Sequence, residues 1–155
     1  MAPTLFTDDW NEFIRLARLH RLKFLLVGGV ALALHGLPRA TNDIDIWIEN
    51  KPANIVRLKK VLGDFGFAEL AQQIPKIMDE RQALFLGKPP YRLDILSGVS
   101  GLTFAQAYRQ RTTVQFNKAS LPLASLQQLL KNKKASGRPK DILDVAAIQK
   151  VLKTK

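Results

Sequence analysis

The sequence contains no cysteine, and this absence excludes disulfide bonds and thiolate metal sites. A zinc site would have only His20 and His35 as nitrogen ligands. Long hydrophobic runs are also lacking, since the longest, residues 24–34, is well short of the ~20 residues that cross a bilayer. The N-terminus carries Asp8 and Asp9 where a signal peptide would be basic and then apolar. These absences predict a cytoplasmic protein with no membrane-spanning segment.

Acidic residues are scarce beside the basic ones. Lysine and arginine number 24 against 13 aspartates and glutamates, which gives a net charge of +11 and an isoelectric point near 10.2. The last 25 residues contain eight of the bases and two of the acids, and so contribute +6. A field of this sign attracts polyanions and favours nucleic acid as a partner. The alternative is a solvated basic helix with a Lys-rich tail that has no partner.

The spacing of apolar residues predicts an alternation of helices and strands. For a chain of 155 residues we expect one domain over residues 1–155. Helices are predicted at 8–20, 30–34, 53–65, 104–109, 125–133 and 138–152. Strands are predicted at 23–27, 44–48, 82–86, 92–96 and 112–116, the third and fourth of them as a hairpin. The last two helices make a basic pair at about 124–152.

Two aspartates, Asp43 and Asp45, lie on one face of a predicted strand, because successive side chains of a strand alternate between faces. Ile44, Ile46 and Ile48 bury the other face. Carboxylates placed in this way raise each other's pKa unless a cation sits between them. A hard cation such as Mg²⁺ prefers carboxylate oxygens and keeps positions open for a phosphate. The pair therefore predicts a metal site, and the alternative is a strand that enters from a turn with two exposed acids.

A third acid and a glycine pair complete the pattern. Asp94 stands on a predicted strand whose other face is formed by Leu93 and Ile95, although isolated acids on strands are common. Gly28 and Gly29 separate a buried strand from a helix, where the backbone can approach a ligand and free N–H groups can meet an anion. A plain strand–helix turn would look the same, and the spacing fits neither a Walker loop nor a dinucleotide fingerprint.

Together these residues resemble the nucleotidyltransferase superfamily that includes DNA polymerase β. Its signature is a Gly-Gly or Gly-Ser pair, a spacer, an Asp-x-Asp flanked by apolar residues, and a later third carboxylate. The run 28–45 is similar, more narrowly, to small bacterial nucleotidyltransferases related to AbiEii-type toxins. A second motif near the C-terminus supports the same group: Lys134, Arg138, Pro139, Lys140, Asp141 and Asp144.

The resemblance implies an α+β chain with a polymerase β-like nucleotidyltransferase fold, in which helices flank a mixed β-sheet and a helical pair lies at the C-terminus. It also implies a Mg²⁺-dependent enzyme that moves a nucleoside monophosphate from a nucleoside triphosphate, such as ATP, to an acceptor hydroxyl. Asp43, Asp45 and Asp94 would be the metal ligands and catalytic residues, and Asp94 would draw the proton from the hydroxyl. Gly28 and Gly29 would shape the triphosphate pocket.

Five further residues are candidate phosphate contacts. Arg39 and Thr41 lie in the loop before the metal strand, where they could meet a triphosphate, although Arg39 could equally be a surface residue. Lys134, Arg138 and Lys140 could contact phosphates of the nucleotide or the acceptor, or could simply neighbour the acids of the following helix.

The basic charge favours RNA, such as tRNA, as the acceptor, and the resemblance to AbiEii-type enzymes implies a toxin–antitoxin system. It disfavours aminoglycosides, which this superfamily can also modify, because they are polycations. Nucleotidylation of a partner protein is one alternative. A non-catalytic RNA-binding module that retains the fold is another.

Overall fold

A computed structural model describes residues 8–37, 43–74, 83–87, 92–116 and 119–154. The helices in these ranges are α1 (Asp8–Leu19), α2 (Gly28–Leu34), α3 (Pro52–Asp64), α4 (Ala68–Ala71), α5 (Phe104–Arg109), α6 (Leu126–Ser136) and α7 (Asp141–Lys153). The strands are β1 (Phe24–Val27), β2 (Ile44–Ile48), β3 (Leu84–Leu86), β4 (Leu93–Leu96), β5 (Thr112–Phe116) and β6 (Ala119–Leu123). The predicted helices and strands are confirmed to within a few residues, except that α2 begins at Gly28 itself.

The described strands form one mixed sheet in the order β3-β4-β2-β1-β6-β5. β2 pairs with β4 in parallel, and β1 pairs with β6 in parallel. The remaining neighbours are antiparallel, including the predicted hairpin of β3 and β4. The predicted α+β class, with a mixed sheet between helices and a C-terminal helical pair, is therefore confirmed. Among the described helices none combines the length and the apolar character that crossing a membrane requires.

β6 is a strand that the sequence reading did not assign, because it contains Pro122. Proline cannot donate to a ladder and is normally confined to edge strands. Here β6 pairs along its length with β5, whereas its pairing with β1 is confined to Leu123 opposite Leu26. On the side that faces β1, β6 is therefore largely unpaired, like an edge strand. Pro122, which has no backbone N–H to donate, is tolerated there.

The core lies on both faces of the central strands. All four residues of β1 are buried, and Ile44, Ile46 and Ile48 of β2 are buried on the face opposite the aspartates. On the aspartate face, Trp47 is also buried and meets the ring of Phe104 edge-on, with 5.2 Å between centroids. Burial of such apolar surface drives folding. One end of the aspartate face is thereby closed by α5, and the other end stays open beside α2.

Candidate functional site

The three predicted carboxylates are brought together by two adjacent strands. Asp45 of β2 stands directly opposite Asp94 of β4 in the parallel ladder, and Asp43 immediately precedes β2. On its other side Asp45 pairs with Val27, the last residue of β1 before the glycine turn. The sheet register therefore places the acids beside the glycine pair, as the sequence pattern predicts.

Gly28 is required at the first position of α2 for two separate reasons. Its φ of +71° lies in the left-handed region, which side chains rarely adopt. A Cβ built there would overlap Asp45 Oδ2 and would lie 3.1 Å from Asp45 Cγ. The glycine thus provides the space in which the Asp45 carboxylate rests against the backbone.

Gly28→Ala is expected to displace Asp45 and to destabilise the fold by about 1–3 kcal/mol, the usual cost of a strained backbone position. Thermal unfolding and metal binding of the variant would measure both effects. Gly63→Ala is a matched control, because Gly63 lies in α3 with nothing within 4 Å of its added Cβ. The control should be neutral or stabilising by up to about 1 kcal/mol. Equal stability of the two variants would contradict the steric role of Gly28.

The carboxylates and the glycine turn open into a cleft of about 670 Å³. Seven residues predicted as site residues line it: Gly28, Gly29, Asp43, Asp45, Asp94, Arg138 and Lys140. Lys134 does not line this cleft and is exposed, whereas its neighbour Lys133 does line it. Arg39 and Thr41 lie outside the described residues. Arg92 is a further basic residue at the cleft that the sequence reading did not select.

Asp45, which lines the cleft, has a strongly raised pKa. Burial raises its pKa most, followed by the charge of Asp94, a hydrogen bond shared with Asp94, and the charge of Asp43. Arg92 opposes these effects, and the pKa of Asp45 reaches about 7. In the absence of a metal ion and below about pH 7, Asp45 therefore retains a proton beside Asp94.

The stability of the metal-free protein is expected to fall as the pH rises from about 4 to about 7. The unfolded chain releases the Asp45 proton near pH 4, whereas the native state holds it until about pH 7. The free energy of unfolding should therefore fall by on the order of 4 kcal/mol, because about three pKa units each count for about 1.4 kcal/mol. Urea unfolding in EDTA across this range should show the loss, and Asp45→Asn should remove it. A variant with the wild-type slope would contradict the assignment.

Among the residues that the structure describes, Arg92 supplies the positive charge that contacts the carboxylates. Its Nε donates to Asp94 Oδ1 at 2.7 Å and its Nη2 donates to Asp94 Oδ2 at 3.0 Å. Nη2 also lies 3.8 Å from Asp43 Oδ2, and the backbone N–H of Arg92 donates to Asp43 Oδ1 at 3.3 Å. The guanidinium stacks over Phe85 at 4.4 Å from the ring centroid. Asp94 is thus engaged by a bidentate ion pair.

The donor set fits a hard divalent cation, although its present arrangement does not. Three carboxylates beside an open polar cleft are the ligands that Mg²⁺ prefers. Among the described residues, however, no group of three acidic or histidine side chains is arranged as a ready metal site. The reason is visible in the contacts, since Arg92 binds Asp94 and Asp45 shares a hydrogen bond with the same carboxylate. Movement of Arg92 away from Asp94 would free the ligands.

A buried ion-pair cluster contributes three residues to the lining of the cleft: Lys133, Ser136 and Arg138. Lys133 Nζ lies 3.2 Å from both Asp141 Oδ1 and Asp144 Oδ2, and all three side chains are largely buried. Arg138 Nε is 3.1 Å from Asp141 Oδ2, and Ser136 Oγ donates to the same oxygen. Burial alone would raise the pKa of Asp141, but the hydrogen bonds from Ser136, Lys133 and Arg138 hold it well below its usual value. The cluster joins α6 to α7.

Ordinary periodicity would have indicated both basic residues that the sequence reading missed. Arg92 is two residues before Asp94 on a strand and so belongs to the same face. Lys133 follows the buried Leu126 and Leu129 at a helical spacing of seven and four residues. The same spacing turns Lys134 to the exposed side of α6.

The sequence profile of a family described as nucleotidyltransferases of unknown function (DUF6036) matches residues 9–154. The chain belongs to this family. No curated protein matches the sequence of this nucleotidyltransferase family member. The crystal structure of a Thermotoga maritima protein assigned as a nucleotidyltransferase is similar to it, with a TM-score of 0.53 and 13% identity. That similarity covers 94% of this chain and 91% of the other, and at such identity it shows the fold alone.

The predicted membership of the nucleotidyltransferase superfamily is confirmed by the family match. The mixed sheet flanked by helices is the fold shared with the Thermotoga maritima protein. Membership of this nucleotidyltransferase family implies an enzyme with a nucleotide substrate. The narrower likeness to AbiEii-type toxin enzymes stays a prediction.

Proposed function

We propose that this protein is a Mg²⁺-dependent nucleotidyltransferase that moves a nucleoside monophosphate from a triphosphate such as ATP to an acceptor hydroxyl. The observation that supports this best is the convergence of Asp43, Asp45 and Asp94 beside the Gly28 turn, at the floor of one cleft. A stable sheet gains nothing from two facing carboxylates that repel each other. A site for a divalent cation requires them.

The cation supplies charge neutralisation for the phosphates and lowers the pKa of the attacking hydroxyl. The acceptor oxygen forms a bond to the α-phosphorus while the bond from that phosphorus to the β-phosphate oxygen breaks, and pyrophosphate leaves. Asp43, Asp45 and Asp94 hold the cation, and Asp94 accepts the proton of the hydroxyl. Gly28 and Gly29 let the backbone approach the triphosphate closely. Catalysis then rests on positioning and electrostatics.

The basic part of the cleft lining suits the phosphates of the substrate. Arg138 and Lys140 line the cleft and are exposed, and Arg138 also donates through Nε to Asp141. Lys133 is committed to Asp141 and Asp144. We therefore assign phosphate contact to Arg138 and Lys140, and a structural role to Lys133. Lys134 is exposed on α6, next to the cleft residue Lys133, and we assign it to contact with the acceptor.

RNA, plausibly tRNA, is the proposed acceptor. Its phosphates complement the basic residues on α6 and α7, which follow directly from the cleft wall. A protein acceptor is the second candidate, and one observation favours it. Ile142 and Leu143 of α7 are 69% and 78% exposed just after the cleft residue Lys140, and exposed large apolar side chains often mark a protein contact. The likeness to AbiEii-type enzymes supports a role in a toxin–antitoxin system for either acceptor.

Incubation with Mg²⁺ and triphosphates labelled at the α- or γ-phosphate would test the proposal. Total RNA and cell protein would be supplied as separate acceptors. Transfer of the α-label, and not of the γ-label, is expected, and the labelled fraction would identify the acceptor. Binding of RNA without label transfer from any triphosphate would support the non-catalytic alternative instead.

A further inference from the structure

Arg92 has a backbone held by hydrogen bonds and a long side chain that reaches the cleft. Its carbonyl accepts from the N–H of Ile44 at 2.9 Å, and its own N–H donates to Asp43. These bonds attach the main chain of Arg92 to the start of β2. The side chain is 31% exposed at the cleft, whereas that of Asp94 is 9% exposed. A rearrangement of Arg92 would therefore move the guanidinium by rotation of the side chain, while the backbone stays in place.

The guanidinium stands where it must interfere with a divalent cation. It engages both oxygens of Asp94 and lies within 3.8 Å of Asp43, so two of the three proposed metal ligands face its positive charge. A hydrated divalent cation approaching the same oxygens would be repelled by this charge. The guanidinium of Arg92 and a divalent cation therefore compete for the carboxylate of Asp94.

Once it leaves Asp94, the guanidinium would meet a new acceptor in a triphosphate bound in the same cleft. Arg92 and Arg138 both line that cleft, and a planar guanidinium binds phosphate oxygens in the same bidentate geometry as a carboxylate. The stack on Phe85 contacts the face of the guanidinium and leaves its N–H groups free to change partners.

We propose that Arg92 is an internal counter-ion of the metal site, which holds Asp94 when no cation is bound and is released to the triphosphate when a divalent cation binds. Arg92 is thus a positioning residue for Asp94 in one state and a substrate-binding residue in the other. The proposal rests on the proposed function insofar as the three aspartates bind a divalent cation. It predicts that, without a metal ion, the charge of Arg92 weakens the binding of a divalent cation to Asp94.

Calorimetric titration with Mg²⁺ alone would test this on the wild-type chain, Arg92→Gln and Arg92→Lys. Removing a unit charge within about 4–6 Å of a carboxylate changes its proton affinity by about 10- to 1,000-fold, and we take the lower end for a hydrated metal ion. Arg92→Gln should therefore bind Mg²⁺ about tenfold more tightly than the wild type. Arg92→Lys, which keeps the charge and loses the bidentate fork, should shift the affinity less. It also keeps the test decisive if Arg92→Gln fails to fold.

Arg111→Gln is the matched control. Arg111 stacks on Tyr108 at 4.1 Å from the ring centroid and donates to the Tyr108 carbonyl, so its replacement also removes one charge and one stacking contact. Arg111 does not line the cleft, so the Mg²⁺ affinity of Arg111→Gln should equal that of the wild type. The second readout is the triphosphate: Arg92→Gln should bind it more weakly in saturating Mg²⁺, whereas the control should not.

Weaker or unchanged Mg²⁺ binding in Arg92→Gln would overturn the proposal, as would the absence of Mg²⁺ binding in every variant. Failure of the proposed function has a different result. In that case Arg92→Gln would tighten Mg²⁺ binding as expected, while no label from any triphosphate would reach RNA or protein.

Discussion

Asp45→Asn is expected to abolish nucleotidyl transfer and to leave the metal-free protein as stable as the wild type or more so. Asparagine keeps the shape of the side chain beside Gly28 but removes a charged ligand of the proposed cation. Loss of a group that stabilises transition-state charge costs at least about 10²–10³-fold in rate, and a shared metal ligand belongs to the upper end. At neutral pH and above, stability is preserved because the variant removes the cost of ionising Asp45 beside Asp43 and Asp94. Label transfer and urea unfolding in EDTA would measure the two effects.

Asp64→Asn makes the same chemical change outside the cleft. Asp64 pairs with His20 at 2.7 Å and is 53% exposed, so transfer activity should not change. The assignment would be contradicted if Asp45→Asn unfolded without metal, since Asp45 would then be structural. It would equally be contradicted if the variant retained wild-type transfer.

Of the variants considered, Lys133→Ala is expected to cause the largest loss in the free energy of unfolding. Lys133 is 6% exposed and is the cation that Asp141 and Asp144 share, while the side chain of Asp141 is 2% exposed. Removal of one partner from a buried ion pair costs about 3–5 kcal/mol, because the remaining charge has no compensation. Arg138 and Ser136 still contact Asp141, which favours the lower end of that range. Urea unfolding at neutral pH would measure the loss.

Lys134→Ala is the neighbouring control. Lys134 is exposed on α6, and substitution of such a surface residue changes stability by no more than about 0.5 kcal/mol. If the two variants were equally stable, the cluster would contribute little and the contact between α6 and α7 would rest on apolar packing. Leu129 of α6 and Ile148 of α7 are both fully buried.

Local periodicity made much of the site predictable. Alternation along β2 and β4 placed Asp45 and Asp94 on polar faces, and the glycine pair marked the turn beside them. What the sequence pattern did not contain was the parallel register that sets Asp45 directly opposite Asp94. That register depends on the pairing of residues far apart in the chain. The likeness to nucleotidyltransferases predicted Asp94 as the third carboxylate but did not predict this register.

The residues that were missed are those whose role depends on a contact across the fold. Arg92 matters because the strand pairing brings Asp43 against it. Lys133 matters because the turn after α6 brings Asp141 and Asp144 back to it. β6 was missed for a different reason, since Pro122 is unfavourable in a strand and only its position in the sheet makes it acceptable.

The claim on which the account depends is that the aspartates bind the triphosphate through a divalent cation. Calorimetry with a non-hydrolysable triphosphate, in Mg²⁺ and then in EDTA, tests this directly in the wild type and in Asp45→Asn. We expect binding by the wild type in Mg²⁺ that is lost both in EDTA and in the variant. Binding of equal strength in Mg²⁺ and EDTA, unaffected by Asp45→Asn, would contradict the account.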